Sequence, residues 1–415
     1  MALIQPFRAL RPKEEIAKQV ASRPYDVLNS EEARDEAHGN PHSFLHVTKS
    51  EIDLPAGTDI HSQMVYDQAA KNLQQMISAG VLEQEATACY YIYQLIMPAR
   101  PDLGVDGNAQ TGLVCVSSVE DYFNDVIKKH EFTRPEKEKD RIDHMRTIRA
   151  QTGNVFLAYR DVTEINGLIN GWKTANKPVY DITADDGIRH TVWCINNPSV
   201  IGSITRLFET AVPATYIADG HHRCASAAKV SQFFQEKPNA QYFLTTIFPE
   251  SQLAIMDYNR VIKDLNGYSP EEFISALQED FSLTQSPVPV KPAQLHEFGL
   301  YLDGKWYILT ALEGTYAHDP IGVLDVSILS NNVLDKLLDI KDQRTDKRID
   351  FVGGIRGLKE LEKRVDSGEM KLAFSLYPVT MAQLFAIADS GNVMPPKSTW
   401  FEPKLRDGLL THLID

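Results

Sequence analysis

Asp219-Gly220-His221-His222-Arg223 sets an acid, a glycine, two imidazoles and a guanidinium in five consecutive positions. Before it, Tyr216 to Ala218 is a short apolar run suited to a strand. After it, Ala225, Ala227, Ala228 and Val230 continue as a helix, alanine being a strong helix former. The polar cluster therefore stands at a strand-to-helix turn. Backbone N–H groups and the positive end of a helix dipole meet there and form a seat for an anion such as a phosphate. Gly220 permits a positive φ or a close approach of backbone to ligand. Arg223 offers a planar fork that matches two phosphate oxygens. His221 and His222 can donate, accept or bind a metal, so they are catalytic candidates as well as members of the cradle. The plainer reading makes Asp219 an N-cap and the histidines a polar rim. Convergence of so many polar types at one helix start favours a ligand site.

A second charged block runs from His130 to His144. Thr133 is expected to cap a helix opened by Pro135 and Glu136. Helical spacing places Lys137, Asp140, Arg141 and His144 along one face. On charge alone this is a solvated, ion-paired surface helix.

The Asp219–Arg223 run resembles the signature of the ParB/sulfiredoxin superfamily, whose Gly-x-x-Arg turn grips nucleotide phosphates. Its Asp-Gly-His-x-Arg form is most similar to the free-serine kinases of that superfamily. Over nearly its full length the chain also resembles a bacterial family known as domain of unknown function 1015. That resemblance is carried by Arg23-Pro24-Tyr25-Asp26-Val27-Leu28, Gly39-Asn40-Pro41, His130-Glu131-Phe132-Thr133, Tyr216 to Arg223, and Met394-Pro395-Pro396-Lys397-Ser398-Thr399.

The resemblance implies a kinase that uses ATP or ADP with Mg²⁺ to convert free L-serine to O-phosphoserine. It puts Asp219, Gly220, His221, His222 and Arg223 on the nucleotide, with Lys137 and Arg141 adding positive charge. In the superfamily the region of Asp26 faces the Gly-x-x-Arg turn, which makes Asp26 the catalytic acid, with Glu31 and Glu32 behind it. Those two also read as ordinary first-turn acids. His130 and Glu131 become substrate contacts, as do Lys397, Ser398 and Thr399 in a closing strap that also carries Lys404. Family members often have a histidine before Arg260; this chain has Asn259, which is given no role. Sulfiredoxin has its cysteine before the arginine, where this chain has His221, so Cys224 reads as a small packing residue.

Neither a Walker loop nor a protein-kinase His-Arg-Asp set occurs in the sequence. Two other functions fit the same residues. One is a nucleotide-binding regulator without catalysis. The other is a metal-dependent hydrolase with Asp219, His221 and His222 as ligands, although strand-turn geometry usually splits adjacent histidines.

The composition bounds these options. The chain has 415 residues, 43% hydrophobic and 24% charged, as an ordinary globular protein of two or three domains would. Its formal net charge is -14 and it has no long basic run, which argues against nucleic acid as a partner. Cys89, Cys115, Cys194 and Cys224 are scattered, which fits a reducing cytoplasm and no disulfide or zinc framework. The N-terminus has no signal-peptide pattern, and no apolar run reaches membrane-spanning length. The expected partners are a nucleotide and an amino acid, with no membrane; a homodimer is compatible.

Outward from the turn, strands are expected at Cys89 to Met97, Thr111 to Val116, Val155 to Tyr159, His190 to Ile195, Tyr242 to Phe248 and Leu253 to Met256, with Tyr258 to Ile262 ending this unit. Helices are expected at Ile60 to Ala79, Asp161 to Trp172 and Val200 to Phe208. Gly39 to Val47 reads as a turn and a strand. Beyond Leu265 come a capped helix, a hairpin turning at Asp303-Gly304, a helix over Val323 to Leu338, a strand at Leu372 to Leu376 and an irregular Pro/Lys/Ser/Thr tail. The fold class is mixed α/β. A ParB/sulfiredoxin-like nucleotide-binding core with insertions spans 1–264, and a smaller α/β region with the closing tail spans 265–415.

Overall fold

The computed structural model describes residues 1–103 and 105–415. The fold is mixed α/β, in two compact units. The first unit comprises Met1–Ala99, Asp106–Leu253 and Pro403–Asp415; the second comprises Arg100–Val105 and Ala254–Glu402.

A nine-stranded sheet organises the first unit. From one edge inward, Ile127–Lys128 pairs parallel with Thr215–Asp219, which runs antiparallel to Val155–Tyr159. Val155–Tyr159 pairs parallel with Tyr242–Pro249, and Ala109–Ser118, Tyr90–Ile96, Arg189–Ile195 and Tyr180–Thr183 follow antiparallel. The central strands are buried end to end, as their continuous apolar runs require. Ile217, Leu157, Ile247 and Tyr159 join one core with Ile204 and Phe208 from the helix Pro198–Ala211 and Ala227 and Ala228 from the helix His221–Phe233.

Several local readings change. Leu45–Thr48 is a short helix rather than a strand, although Phe44 and Leu45 do enter the core. The helix expected from Ile60 begins at Gln63. Of the two caps the sequence offers for the helix Ser30–Ala37, Ser30 or Asn29, the structure uses Asn29, in a capping box with Glu32. Thr133 does not cap the helix Pro135–Ile148; its hydroxyl donates to Glu138.

The second unit is built on a six-stranded antiparallel sheet: Phe281–Ser286, Lys305–Ala311, Glu297–Leu302, Leu372–Leu376, Tyr258–Ile262 and Ile349–Gly353 in spatial order. The helix expected over Val323 to Leu338 is Asp325–Leu329 followed by a π-helical stretch, Ser330–Asp335.

The change of unit does not fall at residue 264. Tyr258–Ile262 lies between Ile349–Gly353 and Leu372–Leu376, so the chain has already entered the second sheet. The C-terminal residues return to the first unit, where His412–Leu413 pairs with Ala150–Gln151 and Asp407 bridges Ser22. Leu409, Leu410 and Ile414 are buried there, and this burial holds an otherwise polar tail in place. Among the described residues, no helix is long and apolar enough to cross a membrane.

Candidate functional site

The strand Thr215–Asp219 carries a register shift between Ile217 and Asp219 against Val155–Tyr159. Such a bulge bends a strand and re-aims the side chain that follows it, here Asp219. Gly220 comes next at φ 96°, ψ 31°, in the left-handed region, and is the N-cap of His221–Phe233. Asp219 is therefore not the cap, and no side chain caps this helix. Its first N–H groups have no acceptor within the helix.

Arg223 lies beneath this turn, its side chain 11% exposed. Nη1 donates to the Asn154 carbonyl. Nη2 donates to Asp26 Oδ2 at 3.0 Å and lies 3.8 Å from Asp219 Oδ2. Asp219 Oδ2 in turn accepts from Lys404 Nζ at 2.9 Å. Acid and base thus alternate: Asp26, Arg223, Asp219, Lys404. Asp26 and Asp219 keep 34% and 31% of their side chains in solvent, so the chain of charges is open at both carboxylates. Burial would raise Asp219, but Lys404 and Arg223 outweigh it and hold the carboxyl far below the usual range. Burial also opposes the charge on Arg223, and Asp26 and Asp219 more than restore it.

The two motif histidines point to separate backbone donors. His130 N–H donates to His221 Nε2 at 3.4 Å, and Arg134 N–H donates to His222 Nε2 at 2.9 Å. With both Nε2 atoms accepting, the pair does not converge on one ion, which argues against the hydrolase. Among the described residues, no group of three or more His, Cys, Asp or Glu is placed to hold a metal. His130 stacks edge-on to His221, ring centroids 4.5 Å apart, and neither nitrogen of its buried ring has a partner. Burial pushes His130 down to about 4 and His221 well below its ordinary value. Burial, with Lys137 nearby, also lowers His222. All three imidazoles are neutral at pH 7, and the positive charge resides on Arg223 and Lys404.

The other expected residues separate into groups. Arg141 is held by the Asp140 carboxylate and sits 3.9 Å from the Tyr25 ring centroid. Lys137 and Glu131 are exposed. Buried Glu138, His144, Met145 and Ile148 define the inner face of this helix, so Lys137 does not share the surroundings of His144. Lys397, Ser398 and Thr399 belong to the second unit, where the Lys397 carbonyl accepts from Arg260 and the Ser398 hydroxyl donates to the Pro395 carbonyl.

Spacing did not reveal Asn154 or Asp407. Asp407 is 2% exposed, and burial, only partly offset by Arg223, raises its carboxyl to about 7. No motif marks either residue; the apolar Leu409-Leu410 pair was the one sign that this end of the chain is buried. A cavity of about 30 Å³ beside Arg223 is lined by Tyr25, Arg141, Thr152 and Gly153, among others. It has room for water and not for a nucleoside.

In outline the chain is remotely similar to several solved structures. A conserved hypothetical protein from Pyrococcus furiosus shares 15% identity at a TM-score of 0.35, covering 71% of this chain and 93% of that one. A mutant free serine kinase in complex with AMP shares 13% at 0.36, covering 71% and 92%. A free serine kinase mutant in complex with ADP shares 12% at 0.35, with the same coverage of both chains. No curated protein matches the sequence. The family described as protein of unknown function (DUF1015) matches residues 4–327, short of the Met394–Thr399 segment but across the whole Asp26–Arg223 site, and the chain belongs to that family.

Proposed function

We propose that this chain is a small-molecule phosphotransferase that uses ATP or ADP with Mg²⁺ to phosphorylate free L-serine, giving O-phosphoserine. One observation carries the reading: at an uncapped helix start, Arg223 bonds Asp26 and lies 3.8 Å from Asp219, and both acids are about a third exposed. Phosphoryl transfer requires fixed positive charge around the phosphates, a carboxylate for the acceptor hydroxyl and a site for the metal. Arg223, Lys404 and the N–H groups of the helix start supply the first. Asp26 takes the hydroxyl proton. Mg²⁺ is usually held by one or two carboxylates together with substrate phosphates, and Asp219 fits that role. Bound there, the metal would offset charge on the phosphate oxygens. Serine as the acceptor rests on the resemblance of Asp219-Gly220-His221-His222-Arg223 to the free-serine kinases. The proposed site is confined to the first unit.

A regulator that binds nucleotide without turnover is the second reading. It is favoured by the Asp26–Arg223 pair, which already neutralises the guanidinium. Incubation with ATP or ADP, Mg²⁺ and L-serine decides between them. O-phosphoserine supports the kinase; nucleotide binding without product supports the regulator; no nucleotide binding removes both.

A further inference from the structure

The loop between the strand Ile127–Lys128 and the helix Pro135–Ile148 is tied to the proposed cradle at both ends. His130 N–H meets His221 and Arg134 N–H meets His222, the first two residues of the cradle helix. Thr133 bonds Glu138, and Glu138 pairs with Lys229 two turns along that same helix. Between the ties stands Phe132, 71% exposed, the most exposed large apolar side chain among the described residues.

A single exposed apolar residue ordinarily needs no explanation. Phe132 differs in its setting. Its backbone is fixed by contacts to the helix start itself, so the ordering that a ligand would otherwise have to impose is already present. It lies two positions along the chain from each tie, a backbone reach of at most ~7 Å. The backbone of Phe132 therefore stays beside the helix start. The buried ring of His130 packs edge-on against His221 at the same helix start, and both of its nitrogens lack a hydrogen-bond partner.

The geometry points to Phe132 as the stacking platform for the base of a purine nucleotide whose phosphates rest at the start of His221–Phe233. This inference rests on the nucleotide reading of the cradle. Stacking reads the π-face of a base rather than its edge. ADP and GDP should therefore depend on Phe132 alike, while pyrophosphate should be indifferent to it.

Calorimetry on the full chain tests this with ADP, GDP and pyrophosphate as probes against Phe132→Ala and Phe132→Trp. The alanine variant is expected to bind ADP and GDP about 10- to 100-fold more weakly, with pyrophosphate unchanged. The tryptophan variant should keep ADP affinity and show fluorescence quenching by ADP, beyond that of the wild type, which pyrophosphate does not cause. Unchanged ADP affinity in Phe132→Ala, or equal losses for ADP and pyrophosphate, would overturn the stacking role while the cradle stands. If the wild type binds neither probe, the nucleotide reading itself fails and takes this one with it.

Discussion

Arg223 and Arg260 are both guanidiniums withdrawn from water, and their surroundings are opposite. Arg223 meets two carboxylates and one carbonyl, and both carboxylates reach solvent. Arg260 is fully buried in the second unit; it donates to the carbonyls of Tyr258, Pro396 and Lys397 and lies 5.3 Å from the Phe351 ring centroid. Burial lowers Arg260 to about 10 with no acid to oppose it, whereas the acids beside Arg223 raise that group. An arginine paired with partly exposed acids can trade one anion for another. An arginine closed in by main-chain carbonyls can only hold the chain in place. Arg260 is thus a strut that fixes the segment around Lys397 to the strand Tyr258–Ile262, and Arg223 is the group able to take a phosphate.

The largest break in this contrast should come from Arg223→Ala. Loss of a charge-assisted fork is expected to weaken ADP binding at least 100-fold, about 2.7 kcal/mol. Unchanged affinity by calorimetry would remove the cradle. Asp26→Asn sharpens the same point from the other side. It relieves the competition for Arg223, so nucleotide should bind as well as before or a few-fold more tightly, while O-phosphoserine formation disappears. A fully active Asp26→Asn protein would move the base to another residue.

Arg260→Met keeps most of the volume and removes both the charge and the donors. The buried Tyr258 carbonyl and the part-buried carbonyls of Pro396 and Lys397 then lose a donor, at a cost of ~2 kcal/mol after the relief of the buried charge. Denaturant titration should show that loss with ADP affinity unchanged. A stable Arg260→Met protein with weakened ADP binding would erase the distinction between the two arginines.

What the sequence made legible was local. Val155–Tyr159, Tyr242–Pro249 and Leu372–Leu376 stand where apolar runs require strands. The break at Asp219-Gly220 was legible because only glycine takes φ 96° without strain. The pairings that make the site were not legible from spacing, and the nearness of Asp26 to the turn was expected only through the family resemblance. Arg223 meets Asp26 across 197 positions and Asp219 meets Lys404 across 185, and no spacing rule reaches that far. Leu45–Thr48 shows the converse error. Its apolar, β-branched composition suits a strand, yet the segment packs as a helical turn against Gln63–Ser78. The tail reads polar and Pro-rich, yet Met394 and Phe401, like Leu409, Leu410 and Ile414 after it, are buried.

The smallest effect expected is a pH dependence that isolates Asp407. Its folded value is raised to about 7, so between about 4 and about 7 the native state holds a proton that the unfolded chain has released. Stability therefore falls as pH rises through that window and is flat above it. Buried histidines act in the opposite sense: His130, His144 and His412, each lowered to about 4, add stability as pH rises from about 4 to 6.5. The wild-type curve mixes both contributions, and comparison with Asp407→Asn separates them. Relative to wild type, the amide variant should gain about 1–2 kcal/mol between pH 5 and pH 8, a few degrees in Tm for a unit of this size. The same offset at both pH values would mean that Asp407 is ionised throughout, with Arg223 as its counter-ion. In that case three carboxylates rather than two would share that guanidinium, and a phosphate would have one more anion to displace.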